Sequence, residues 1–153
     1  MFFDTVSDLL ARQRIEHLHE MPPTAAVADA VRMMNRHHIG AVVVVNGVGL
    51  EGILTERDVM QRVVEPGRDP ASTTIAEVMT RNPKTVHAND RAARALEYMT
   101  KGGFSHVPVL DGGEIRGVLS MRDLNQWLTQ ELQEQADGAL MAIKKMGLAN
   151  RGR

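Results

Sequence analysis

The chain is predicted to fold as a pair of equivalent α/β units, and three observations carry that prediction. Residues 39–64 and 104–129 align at a constant offset of 65 without a gap. In each copy, apolar residues at helical spacing give way to two short β-branched runs around a turn, and then to a second helix start. At 153 residues the chain can bury a real core, yet it holds no more than one compact domain or two small, intimately packed ones. A repeat at fixed period implies equivalent structural units. The clefts between such units suit small ligands.

Thr5-Val6-Ser7-Asp8-Leu9-Leu10 opens the chain as a short lead-in. Ala26, Ala30, Val31 and Met34 then fall at helical spacing, as do Ala92, Ala95, Leu96 and Met99 in the second copy. These patterns break over residues 35–40 and 100–103. Residues 42–45 and 107–110 are short, β-branched and apolar, as strands covered on both faces should be. Asn46-Gly47 and Asp111-Gly112-Gly113 are hairpin turns, from which residues 50–54 and 115–119 return as strands. Second helices begin at Thr55 and Ser120.

Between the copies, Glu65-Pro66-Gly67-Arg68-Asp69-Pro70 is a turn-rich linker, and Thr74-Ile75-Ala76-Glu77-Val78-Met79 is a second lead-in. The last helix runs on from Met121 through Trp127, Leu128, Leu132 and Leu140 toward Ile143. An apolar stripe that outlasts its own unit calls for a partner, with Trp127 as its expected anchor in a dimer interface. This reading divides the chain into residues 1–66, a first repeat with its lead-in, 67–130, a second repeat, and 131–153, a helical extension with a basic tail.

Lys and Arg number 18 against 19 Asp and Glu, so no global field draws in nucleic acid or an acidic membrane. The absence of cysteine excludes disulfides, thiolate metal sites and a cysteine nucleophile, and fits a reducing compartment. The start lacks the apolar core of a signal peptide, and no run approaches the roughly 18 apolar residues of a membrane span. A soluble, cytoplasmic protein is expected.

The sharpest local signal is Thr55-Glu56-Arg57-Asp58, echoed by Ser120-Met121-Arg122-Asp123, each directly after a Gly-led apolar strand. One reading is a capping box, in which hydroxyl and carboxylate satisfy the free N–H groups of a helix start. A cap, however, requires neither Arg in both copies nor Asp where Glu would reach the backbone better. The other reading is a nucleotide site. A helix N-terminus offers N–H groups and positive potential to an anion, and a short carboxylate beside it can accept both hydroxyls of a ribose. Asp58 and Asp123 are each read as standing alone, with no acid/base pair and no nucleophile with its base in the motif, so no catalysis is expected.

The order of elements, the paired hairpins and the doubled Gly-hydrophobic-hydrophobic-Thr/Ser-x-x-Asp motif resemble a tandem CBS domain pair, named for cystathionine β-synthase and also called a Bateman module. The resemblance runs from about Thr5 to Thr129. It implies an α/β (α+β) fold of two β-α-β-β-α units packed sheet to sheet in pseudo-two-fold symmetry. It also implies adenosine ligands, commonly AMP, ADP or ATP and sometimes NAD or S-adenosylmethionine, in two clefts between the units, and a disc-like homodimer.

Carried over by the resemblance, one cleft would use Thr55, Arg57 and Asp58 with Thr74, Met79, Phe104, Ser105 and His106. The Asp would hold the ribose, Phe104 and Met79 would sandwich the base, and His106 would touch phosphate. The other cleft would use Ser120, Arg122 and Asp123 with Thr5, Leu10, Ile39, Gly40 and Ala41. There Ala41 stands where a basic residue is common, leaving phosphate to Arg122 or the backbone. The resemblance thus implies unequal clefts, with the Asp58 cleft favoured for a phosphorylated ligand.

The function expected is a regulatory adenine-nucleotide sensor without catalysis, which passes its occupancy to an effector protein or to its own dimer. The alternative is a structural dimer or interaction adaptor with vestigial clefts, the motif being only a cap. Nucleic-acid association through Lys144, Lys145, Arg151 and Arg153 is a further reading, which the lack of interleaved aromatics disfavours. His17-Leu18-His19 and His37-His38 make an incomplete set for zinc, so solvated or hydrogen-bonded histidines are expected rather than a metal site. The ten methionines read as core filler.

Overall fold

The computed structural model describes residues 4–12 and 18–149. Helix α1 spans Val6–Arg12, followed by strand β1 (Glu20–Met21), helix α2 (Val27–His37) and the hairpin of β2 (Ala41–Asn46) and β3 (Gly49–Thr55). Helix α3 (Glu56–Val59) passes into a π-helical turn, Met60–Val64. The second half holds α4 (Ile75–Val78), β4 (Thr80–Arg81), β5 (Val86–His87), α5 (Ala92–Gly102), the hairpin of β6 (His106–Asp111) and β7 (Glu114–Ser120), and α6 (Met121–Ala149). Both units therefore run β-α-β-β-α, as expected.

The repeat extends to the register of the hairpins. Ala41 pairs with Thr55 as His106 pairs with Ser120, and an irregularity at Val44/Val45 recurs at Val109/Leu110. Side chains alternate along a strand. In β2, Val42 and Val44 enter the core beneath α2, while the equally buried Val43 faces the other way, on a strand that lies beside β7. The expectation that these strands are covered on both faces holds.

The lead-ins are exchanged between the units. Val6 and Leu9 of α1 join the core of the second unit with Val107, Val109, Leu119 and Trp127. Ile75, Val78 and Met79 join the core of the first with Val27, Val42 and Leu54. Backbone bonds lock both exchanges: Val6 N donates to Asp90 O at 2.8 Å, and Ile75 N donates to Ala25 O at 2.8 Å. Strand β4 likewise completes the first sheet, of order β1-β2-β3-β4, while β5-β6-β7 forms the second. Each segment expected to open one repeat thus packs on the other.

One further expectation is corrected. Trp127 is no interface anchor: it is 3% exposed in the second core, and its Nε1 donates to Asp4 Oδ2 at 2.9 Å. The last helix reaches past Ile143 to Ala149, and Leu132, Leu140, Met141, Ile143 and Met146 are exposed along it. Arg151 and Arg153 of the basic tail lie outside the described residues. Among the described residues, no helix is long and apolar enough to cross a membrane.

Candidate functional site: two unequal clefts

One capping device starts four helices. Asp8 Oδ2 accepts from Thr5 N at 2.8 Å, Asp58 Oδ2 from Thr55 N at 2.9 Å, Glu77 Oε2 from Thr74 N at 2.7 Å and Asp123 Oδ2 from Ser120 N at 2.8 Å. The backbone bond from Thr5 holds the Asp8 carboxyl below the usual carboxylate range, and that from Thr74 does the same for Glu77. The capping reading of the sequence motif is therefore realised. The question for function is which caps keep a carboxylate oxygen to spare at a cleft.

Asp58 is 8% exposed and both of its oxygens are engaged. Oδ2 accepts from Thr55 N and from Thr55 Oγ1 at 3.0 Å, and Oδ1 lies 3.4 Å from Thr80 Oγ1 and 3.8 Å from Arg62 Nε. The space beside it is small, about 180 Å³. Thr55, Arg57, Phe104, Ser105 and His106 line it, as expected from the sequence, together with Thr80 and Lys84. Arg57 reaches across to the opposite unit, where Nη1 donates to Gly103 O at 3.3 Å. The Phe104 ring lies over Gly102 and meets Tyr98 edge-on at 5.2 Å. Arm and ring together narrow this seam.

Two residues carried over to this cleft do not line it. The hydroxyl of Thr74 is spent on the cap of α4, donating to Glu77 at 2.9 Å. Met79 is turned into the first core, with its Sδ where a Cβ on Gly52 would come within 2.6 Å. It is 4% exposed there. The exchange of lead-ins explains this, because α4 serves as a core element of the first unit.

The other cleft is open, with about 1150 Å³ between the units. Ser120, Arg122 and Asp123 come from the second unit, and Ile39, Gly40 and Ala41 from the first, as expected. Asp123 Oδ1 accepts no hydrogen bond among the described residues, and Arg122 is exposed without an ion pair there. Thr5 and Leu10 do not line this cleft: Thr5 caps α1, and Leu10 packs over Gly117. Leu9 and Arg12 from the same helix take their place, with Trp127 behind them. Ligand pockets commonly measure about 300 to 1,000 Å³, a range that this cleft reaches and the space at Asp58 falls below. The clefts are thus unequal, as expected, and the larger is the one at Asp123.

Four histidines line the larger cleft. His106 lines both clefts, so the absence of a basic residue at Ala41 does not strip the larger one of imidazoles. Burial pushes the His106 imidazole below its ordinary pKa, while Glu56 and Asp123 pull it back up and Arg57 adds to the depression. His19, His37 and His38 also line the larger cleft, the first two stacked at 4.1 Å between ring centroids. A signal was available: at the offset of 65, His37-His38 stand where the other copy has Gly102-Gly103. His17 lies outside the described residues, and among those described no three metal-ligating side chains are grouped to hold an ion.

A family model for the CBS domain matches residues 5–65 and again 75–129. The chain belongs to the CBS domain family. The CBS domain-containing protein CBSX3, mitochondrial, of Arabidopsis thaliana is 34% identical over 114 residues, which cover 71% of this chain and 55% of that protein. The chain spans about half the length of this curated relative, and far less of others, such as 20% of CBSCBSPB3. Among solved structures, the CBS-domain containing protein ATU1752 from Agrobacterium tumefaciens is 32% identical with a TM-score of 0.74, covering 80% of this chain and 98% of that one. The CBS domain pair of protein MJ0100, in complex with 5′-methylthioadenosine and S-adenosyl-L-methionine, shares the fold with a TM-score of 0.73 at 24% identity, covering 84% of this chain and 98% of that one.

Proposed function

We propose that this CBS pair is a regulatory, non-catalytic module that binds an adenosine compound in the Asp123 cleft. The observation that carries the reading is the spare oxygen of Asp123. Its partner oxygen caps α6, while Oδ1 is left to accept the hydroxyls of a ribose at the wall of a cleft large enough for the whole nucleoside. The exposed strand start at Ile39, Gly40 and Ala41 offers backbone groups for the adenine edge from the opposite unit. That the same fold holds adenosyl compounds in MJ0100 supports the ligand class.

Ligand bound in this way ties the first turn of α6 to the start of β2. Because α6 continues to Ala149, a change in how the two units meet is carried to the exposed apolar residues at its far end. Occupancy biases the arrangement by as much as the ligand prefers one over the other. A second copy or an effector protein that rests on that helix would read the change.

The adaptor reading, in which no ligand binds, has one observation in its favour: all four motifs are working caps. A thermal shift panel of AMP, ADP, ATP, NAD and S-adenosylmethionine separates the two, since a ligand at about 100 times its Kd adds about 2.7 kcal/mol. Analysis of the same mixtures for products tests for turnover. At least one member is expected to raise the midpoint and to emerge unchanged. A panel that moves nothing assigns the adaptor role.

A further inference from the structure

Helix α6 outlasts the core that starts it. Leu124, Trp127 and Glu131 are buried, but from Leu132 to Gly147 every residue is exposed, an overhang of about 24 Å. Helices in proteins are stabilised mainly by packing of an apolar face, and this stretch, weakened further by Gly138, takes no part in either core. Its apolar residues are nevertheless ordered. Leu132, Ala136, Ala139, Ile143 and Met146 are spaced by four, three, four and three residues, the period of a helix that pairs with another helix. Glu134, Asp137, Lys144 and Lys145 all fall at the outward positions of that period.

We infer that the overhang pairs with the same segment of a second copy of this chain, as an antiparallel two-helix seam. Two features of the stripe choose the occupant and its direction. The first is size. Parallel helices would set Ala136 on Ala136 and Ala139 on Ala139, two thin layers in succession between thicker ones. Turned about the level of Met141, the helices instead bring Ala136 to the partner's Met146 and Ala139 to the partner's Ile143, so that every such layer joins a small side chain to a long one. The second is charge. Acidic Glu134 and Asp137 precede basic Lys144 and Lys145 along the helix, so the parallel arrangement sets like charges level with one another, whereas the antiparallel one sets Asp137 level with the partner's Lys145. A stripe that carries small and long side chains, and both signs of charge, in an order that a two-fold axis exchanges is complementary to itself. The register also fits the overhang, because Ala149 then stands level with the partner's Gln133, where that helix leaves its own body. The seam lies beyond both repeats and is separate from the disc-like pairing expected of them. It joins, at their far ends, the two helices that begin at the Asp123 clefts.

The chain contains no cysteine, so single introduced thiols report the register without background. Full-length Ala136→Cys and Met146→Cys proteins are oxidised separately and as an equal mixture, and disulfide-linked dimer is read on a non-reducing gel. A disulfide needs Cα atoms within about 7 Å. The mixture is expected to cross-link and each protein alone is not, because in the antiparallel seam about 15 Å of helix separates either position from its own copy. Adding Ile143→Asp to both proteins should cut the yield at least about fivefold, since a carboxylate would be buried in the seam. Trp127 emission should stay unchanged in that variant, because Ile143 belongs to neither core. Cross-linking of each protein with itself but not in mixed pairs shows parallel helices and overturns the inference. Equal yields in all three samples show random collision and overturn it too, and no yield in any leaves the stripe to a different protein and does the same. A yield that Ile143→Asp leaves intact, or a shifted Trp127 emission, removes Ile143 from the seam and overturns it. None of these outcomes depends on the adenosine reading of the cleft.

Discussion

The imidazole of His106 lies directly over Gly40, so close that a Cβ there would come within 2.9 Å of both Cε1 and Nε2. One residue opens β6 and the other precedes β2, so this contact is where the two repeats meet at the clefts. Glu56 Oε1 closes the same space from the first unit, at 3.2 Å from that Cβ position. Gly40→Ala must therefore displace the ring, which is half-buried and hydrogen-bonded through Nδ1 to Ser105 Oγ at 3.0 Å. We expect a loss of about 1–2 kcal/mol in urea unfolding, as for overpacking of a close contact. Most of it should be recovered when His106→Ala is added, because the double substitution removes the clash.

The same imidazole sets a pH dependence. Burial lowers the His106 pKa in the folded protein, so the folded state binds this proton more weakly than the unfolded chain does. Its contribution to stability is complete above about pH 6.5, the ordinary value, and is lost as pH falls through that value toward the depressed one. Ligand-free protein should thus unfold at lower urea at about pH 5.5 than at about pH 7.5, and His106→Gln should flatten that slope. An equal slope in the variant removes His106 from the account.

Gly52 and Gly117 occupy equivalent positions in the repeat, yet they are not equally replaceable. A Cβ at Gly52 would come within 2.8 Å of the Thr80 carbonyl oxygen as well as 2.6 Å of Met79 Sδ, whereas one at Gly117 would meet only the Leu10 side chain, at 3.2 Å. Backbone cannot step aside as a leucine tip can. Gly52→Ala is expected to cost about 2–3 kcal/mol and Gly117→Ala less than about 1 kcal/mol by the same unfolding measurement.

Asp4 joins α1 to the second unit through two bonds, accepting from Trp127 Nε1 at 2.9 Å and from Arg12 Nη2 at 2.9 Å. Asp4→Ala should destabilise the protein by about 1–3 kcal/mol, because hydrogen bonds to a charged acceptor are lost in a half-buried setting. Trp127 is the sole tryptophan, so its emission should shift to the red in the folded variant if the exchange of α1 is real. An unchanged spectrum and an unchanged midpoint would show that the Asp4 side chain does not hold α1, which would then rest on its apolar residues and its backbone bonds.

The strands and hairpins were legible because their signals are local: β-branched runs, Asn-Gly and Asp-Gly turns, and the helical spacing of Ala30 and Met34. The repeat also located both acidic caps. The exchange of lead-ins was not legible, since Val6 and Ile75 carry no mark of which core they enter and are placed only by long-range packing. Nor was the closing of the Asp58 seam, which depends on Arg57 reaching Gly103 O and on Phe104 folding over Gly102. The departure of His37-His38 from Gly102-Gly103 was written in the alignment of the two halves, and both side chains are exposed, as the solvated reading has them.

Calorimetric titration of wild type, Asp58→Ala and Asp123→Ala with the adenosine compound that most raises the midpoint tests the central claim. Asp123→Ala should lose binding by at least about tenfold with little change in stability, whereas Asp58→Ala should keep its affinity and lose about 1–2 kcal/mol of stability through its cap. Binding abolished by Asp58→Ala and retained by Asp123→Ala would contradict the account.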